Sequence, residues 1–193
     1  AYAVTFTPRL TAPSASDYHY TSDNPFYNSG FGMPNCTCYA WGRAYEILGS
    51  KPNLSTGNAN TFYAVNQSRG AYAYGSTPKL GAIACWSGGS GSPGHVAVVE
   101  KIEGNKITIS ESHYQKTNFN TKVITAGRES SYISGFQGYI YILDDATIGN
   151  NPEGSCDLIN GNTGSITIDG WVIDKDNKSA SLELHVYIGG PAG

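Results

Sequence analysis

Charge is scarce in this chain: only 14% of its 193 residues are Asp, Glu, Lys or Arg. The 12 basic residues never gather into a run, and against 15 acidic ones they leave a net charge of −3. A protein that neutralises a phosphate backbone needs clustered Lys and Arg, so no nucleic-acid partner is expected. A strongly cationic wall-binding surface is absent for the same reason. No apolar stretch reaches 18 residues, so no membrane-spanning helix is expected. Cysteine is sparse too, and the four at positions 36, 38, 85 and 156 follow no regular spacing. That spacing suggests neither a disulfide framework nor a zinc site. What is plentiful is Gly (24), Tyr (14) and the small polar residues Asn, Ser and Thr. This polar, uncharged, turn-rich composition suits an extracellular, carbohydrate-facing protein, so a secreted or cell-surface location is expected.

One of the few cysteines has an informative position. After Met33-Pro34-Asn35, the residues Cys36, Ala40, Ala44, Ile47 and Leu48 recur at helical spacing. Asn35 is a good N-cap, because its side-chain oxygen can accept a hydrogen bond from an unpaired N–H of the first turn. Gly49 suits the left-handed position that ends a helix. The pattern predicts a helix from Cys36 to Leu48 with Cys36 at its first position. There the unpaired N–H groups and the helix dipole favour a thiolate. Cys38 lies about 200° around the same helix and reads as packing; helical geometry also disfavours a Cys36–Cys38 disulfide.

Gly94-His95 opens a Val- and Ile-rich run, Val96 to Ile102, that reads as a buried strand. Glu103-Gly104-Asn105 is a turn signal. Beyond it, Ile107, Ile109, Glu111 and His113 alternate with Lys106, Thr108, Ser110 and Ser112, so the first four share one face of a second strand. An acidic residue ending an apolar stripe needs a partner, and His95 across the hairpin is the candidate. Register decides whether they meet. A two-residue loop, Gly104-Asn105, with regular pairing turns His95 away from Glu111. A three-residue loop, or a bulge that restores the parity, sets His95 opposite His113 and Ala97 opposite Glu111. One of these two is expected. Cys36, His95 and Glu111 then supply a nucleophile, a base and a group that orients the base. The Cys36 backbone N–H, with the Asn35 or Tyr39 side chain, would hold an oxyanion, and Trp86 would line the cleft.

Around this pair the chain divides readily. Residues 1–24 are an irregular, aromatic-rich lead-in, and 25–145 form the catalytic domain. The domain holds a second short helix starting near Ser55 or Asn58 and ending by Ser68. Further strands are expected at 81–86, 122–125 and 138–143. Residues 146–163, rich in Asn and Gly, read as a linker. Residues 164–193 are a β-rich segment, with alternating strands at 165–173 and 182–188. Two strands cannot bury a core alone, so this segment either docks or is a fragment. The Asp174-Lys175-Asp176-Asn177 cluster is a candidate for calcium, but Lys178 at the next ligand position argues against an EF-hand loop. No metal and no cofactor are expected.

These stretches resemble the CHAP family, the cysteine- and histidine-dependent amidohydrolases and peptidases of the papain-like NlpC/P60 group. The first block is Asn35-Cys36-Thr37-Cys38-Tyr39 with Arg43. The second is Gly81-Ala82-Ile83-Ala84-Cys85-Trp86 followed by Gly94-His95-Val96-Ala97. The third is Glu111-Ser112-His113-Tyr114, where His113 stands at the position the family commonly fills with Asn. The resemblance implies an α+β fold with the nucleophile helix packed on an antiparallel sheet. It implies Cys36, His95, Glu111 and His113 as the catalytic positions, and bacterial peptidoglycan as the substrate. The reaction would be that of an endopeptidase or of an N-acetylmuramoyl-L-alanine amidase, in a monomer. The rival readings are a thiol transpeptidase or transglutaminase-like acyl transferase, and a catalytically idle wall-binding module.

Overall fold

The computed structural model describes residues 6–143 and 153–173. The first stretch begins with turns over residues 14–23 and a short helix α1 (Pro25–Asn28). Helix α2 spans Cys36–Leu48, as expected. Its start is capped by Asn35, whose Oδ1 accepts from Thr37 N at 2.9 Å and from Thr37 Oγ1 at 2.8 Å. Its end is Gly49 at φ 63°, a left-handed position that costs a glycine little. The second helix expected from 53–68 is a 3₁₀ turn, Ala59–Thr61, running into α3 (Phe62–Arg69).

Six strands follow: β1 (Ala73–Gly75), β2 (Ile83–Trp86), β3 (His95–Glu103), β4 (Lys106–Glu111), β5 (Asn120–Thr125) and β6 (Phe136–Tyr141). They form one antiparallel sheet in the order β1-β6-β2-β3-β4-β5. This is the expected α+β class, with the helix that starts at Cys36 packed on an antiparallel sheet. Both sheet faces are buried. Tyr39, Ala40, Ala44 and Ile47 of α2 pack with Ile83, Cys85, Val96 and Val98 on one face. Ala84, Trp86, Val99, Ile107, Ile109 and Tyr139 share the other, covered by Tyr132, Ile133 and Phe136. Each buried Val or Ile side chain contributes about 1.5–3 kcal/mol, an upper estimate. The sheet therefore holds the first residues of β3 and the last of β4 rigidly at one end of α2.

The β3–β4 register settles the parity question. Glu103 pairs with Lys106, so the loop is the two-residue Gly104-Asn105. The pairing shifts between Val99 and Lys101, leaving Glu100 as a bulge. Beyond the bulge Val98 faces Ser110, and carrying that register on sets Ala97 opposite Glu111 and His95 opposite His113. The bulge, not a longer loop, restores the parity. Glu100 is fully buried on the α2 side. Arg43 of α2 grips it through Nε (3.0 Å) and Nη2 (2.9 Å), Ser110 Oγ donates at 2.6 Å, and Arg9 N donates at 2.8 Å.

That last contact ties the lead-in down. From Phe6 onward it belongs to the same compact unit as the sheet. Tyr20 is 2% exposed and donates to Glu46 at 2.9 Å, and Arg9 and Arg43 also hold Glu46. The stretch expected as a linker over 146–163 differs from that reading. Glu153–Asn162 is a strand, β7, paired antiparallel with β8 (Ser165–Ile173) across Thr163-Gly164. Polar strands exposed along their length lack the apolar alternation that marks a strand in sequence. The expected strand at 182–188 and the Asp174–Asn177 cluster lie outside the described residues. Among the described residues no helix is long and apolar enough to cross a membrane.

Candidate active site

Cys36 is the first residue of α2 and is 9% exposed. It lies in the wall of a cleft of about 350 Å³ that Phe31, Asn35, His95, His113 and Tyr114 also line. Its neighbour Cys38 turns into the core instead, fully buried, with Sγ donating to Tyr20 O at 3.6 Å. Burial pushes that thiol up to about 12, so Cys38 stays protonated and inert.

His95 begins β3 directly after Gly94, which sits at φ +81°. A Cβ on Gly94 would lie 2.4 Å from Asn60 N and 2.5 Å from Trp86 O. Only glycine lets the chain turn into β3 there, between the 3₁₀ turn and β2. The His95 ring is buried, and its Nε2 lies 2.7 Å from Glu111 Oε2. This leaves Nδ1 as the nitrogen for the thiol. Burial pulls the imidazole towards neutrality, but hydrogen bonds with Cys36 and Glu111 outweigh it, and its pKa rises from 6.5 to about 9.

Glu111 ends β4 and is fully buried. Its Oε1 accepts from Tyr132 OH at 2.6 Å and Asn120 Nδ2 at 3.2 Å, and lies 3.1 Å from His113 Nε2. Burial alone would raise this carboxyl. The bonds to His95 and Tyr132 reverse the effect and hold it at about 2. Tyr132 in turn is held above its ordinary value by burial and by Glu111, so it remains a donor.

His113 therefore joins the site through Glu111, with its ring stacked on that of His95 at 4.8 Å and 17°. Its loop is tied to the approach to Cys36 by Gln115 N, which donates to Pro34 O at 3.2 Å. His95, Glu111 and His113 bring three possible ligand atoms within 4.8 Å of one another. Both oxygens of Glu111 are already committed to the contacts above.

Two sequence expectations need correction. Tyr39 does not reach the cleft: it is fully buried and its OH donates to Ser110 Oγ at 2.7 Å. Trp86 does not line the cleft either. It is fully buried, its Nε1 donates to Glu129 O at 3.1 Å, and its ring lies 5.9 Å from the His95 ring, where it packs beside the base. Asn35 lines the cleft; its Oδ1 caps α2, and its Nδ2 donates one hydrogen to Phe31 O at 3.1 Å. Two residues went unnoticed. Asn120 stands directly across from Glu111 in the β4–β5 ladder, a position that the strand pattern could have revealed. Tyr132 arrives from a 3₁₀ turn (Glu129–Ser131) far along the chain and carries no local signal.

Residues 26–113 match the CHAP domain family. Two solved structures are similar in part. One is described as the crystal structure of Ly7917, with 20% identity and a TM-score of 0.42. The other is Ly7917 with the hydrolyzing product of MDP, with 19% identity and a TM-score of 0.39. Each match covers 74% of this chain and 73% of the other.

Proposed function

We propose that this protein is a secreted or cell-surface peptidoglycan hydrolase that cuts a peptide or amide bond through a thioester on Cys36. The observation that carries the reading is the buried 2.7 Å contact between His95 Nε2 and Glu111, beside a helix-start thiol in the wall of one cleft. Glu111 fixes the tautomer and stabilises the imidazolium, so His95 can take the thiol proton at Nδ1. The thiolate attacks the carbonyl, and the Cys36 backbone N–H receives the developing oxyanion. The imidazolium then protonates the leaving amine as the C–N bond breaks. Water, deprotonated by His95, hydrolyses the thioester and restores the thiol. His113 and Tyr132 keep Glu111 ionised and in place. The match of residues 26–113 to the CHAP domain family supports the class of chemistry, and the polar, glycine- and tyrosine-rich composition supports the location.

The test is mass spectrometry of muropeptides from purified sacculi after incubation with wild type or Cys36→Ala. New stem-peptide or cross-bridge termini, formed by wild type alone, identify an endopeptidase. Free glycan with whole released stems identifies an amidase. Identical digests from both proteins across several wall types overturn the reading.

A further inference from the structure

Apart from the Cys36 thiol and the Tyr114 phenol, the ionisable groups lining the cleft are basic: His95, His113 and Lys116. Among the described residues no Asp or Glu lines it, in a chain whose acidic residues outnumber its basic ones 15 to 12. The one acidic group of the site, Glu111, is fully buried and has its oxygens occupied by His95, Tyr132, Asn120 and His113. Lys116 differs from the cations of the core. Arg9 and Arg43 are consumed by Glu46 and Glu100, and exposed Lys51 faces Asp23 at 3.6 Å. Lys116 is exposed at the cleft and makes no ion pair with any described residue. Its backbone N–H donates to His113 O at 3.0 Å, which fixes its turn against the residue stacked on His95. The positive end of helix α2 opens into the same space. Half-exposed Phe31 and Tyr114 add apolar walls.

We infer that the cleft selects a substrate bearing a free carboxylate beside the scissile bond, with Lys116 as the residue that recognises it. The inference rests on the hydrolase reading above and adds the charge of the group accepted. A free peptide carboxylate fits the unpaired ammonium. The corresponding carboxamide leaves that ammonium without a counter-charge and loses the attraction. The same attraction acts on any small anion approaching Cys36, whatever the natural substrate.

That generality supplies the experiment. The full chain is alkylated with anionic iodoacetate or neutral iodoacetamide, and the rate at each cysteine is read by peptide mass mapping. Cys156 is exposed and serves as the internal reference. Lys116→Gln is expected to lower the iodoacetate-to-iodoacetamide rate ratio at Cys36 about threefold to fivefold at low salt, the size of one charge–charge contact in water. Lys116→Arg restores it, added salt removes the difference, and the Cys156 ratio stays where it was. In turnover, Lys116→Gln raises KM for a carboxylate-bearing stem peptide and leaves KM for its carboxamide where it was. An unchanged Cys36 ratio, with Cys36 still the fastest-reacting thiol, overturns this inference and spares the nucleophile assignment. A Cys36 no more reactive than Cys156 overturns both.

Discussion

The molecule contains two hairpins built to one plan, and they differ in what holds them. Both β3–β4 and β7–β8 turn through a two-residue loop, and both carry one bulge partway along. In β3–β4 the bulged Glu100 is fully buried and held by Arg43, Ser110 and the Arg9 N–H. In β7–β8 the pairing shifts between Cys156 and Leu158, and the extra residue, Asp157, is exposed and accepts from Ser155 Oγ at 2.7 Å. The first hairpin lies between buried layers. The second leaves Ile159 62% and Trp171 54% exposed. A bulge inserts one residue and flips every side chain beyond it. It carries consequence only where the surroundings permit a single register. The Glu100 bulge decides that His95 and Glu111 share a face, and Arg43, which pins it, sits on the helix that starts with Cys36. Base and nucleophile are thus registered to each other through Arg43–Glu100, a contact outside the cleft.

The contrast can be broken most sharply at Arg43. Arg43→Met leaves Glu100 buried without its counter-ion, which costs about 3–5 kcal/mol. Urea unfolding followed by circular dichroism measures the loss, and a cost below about 1 kcal/mol would mean the bulge is held by the sheet alone.

A smaller effect belongs to the site that the bulge serves. His95 is raised from 6.5 to about 9, so its contribution to stability is complete below 6.5 and disappears as pH rises through about 9. Glu111 is lowered from 4.5 to about 2, so its contribution is complete above 4.5 and disappears as pH falls towards about 2. Together they support the fold most strongly between pH 4.5 and 6.5. Cys36→Ala removes one of the two bonds that raise His95. Its imidazole signals, followed by NMR, are therefore expected to titrate below about 9 and still above 6.5, where Glu111 continues to hold the charge. Titration unchanged at about 9 in the variant would show that Cys36 does not contact the base. The smallest effect is on the other hairpin: Asp157→Ala is expected to change stability by less than about 0.5 kcal/mol in the same urea experiment.

Local patterns are legible wherever one segment carries its own signal. Asn35, the helical spacing from Cys36, and Gly49 marked α2 from end to end. Alternation from Ile107 to Glu111 marked β4 and placed its acidic residue on the correct face. The β7 strand was missed because Glu153–Asn162 has no apolar alternation and pairs in an exposed hairpin. Tyr39 and Trp86 were assigned to the cleft because both stand near the nucleophile or the base in sequence. Their rings instead fill the two layers beside the sheet.

By itself, then, the sequence determined which residues share a face: Cys36 at a helix start, His95 at a strand start, Glu111 and His113 along one stripe. Such information is periodic and local, because backbone geometry repeats every few residues. Only the tertiary structure decided what stands opposite each face. It chose the Glu100 bulge over a longer loop, brought Tyr132 and Asn120 to Glu111, and left Lys116 at the cleft without an ion pair among the described residues. Those outcomes depend on contacts between segments distant in sequence, about which the period of any one strand or helix is silent.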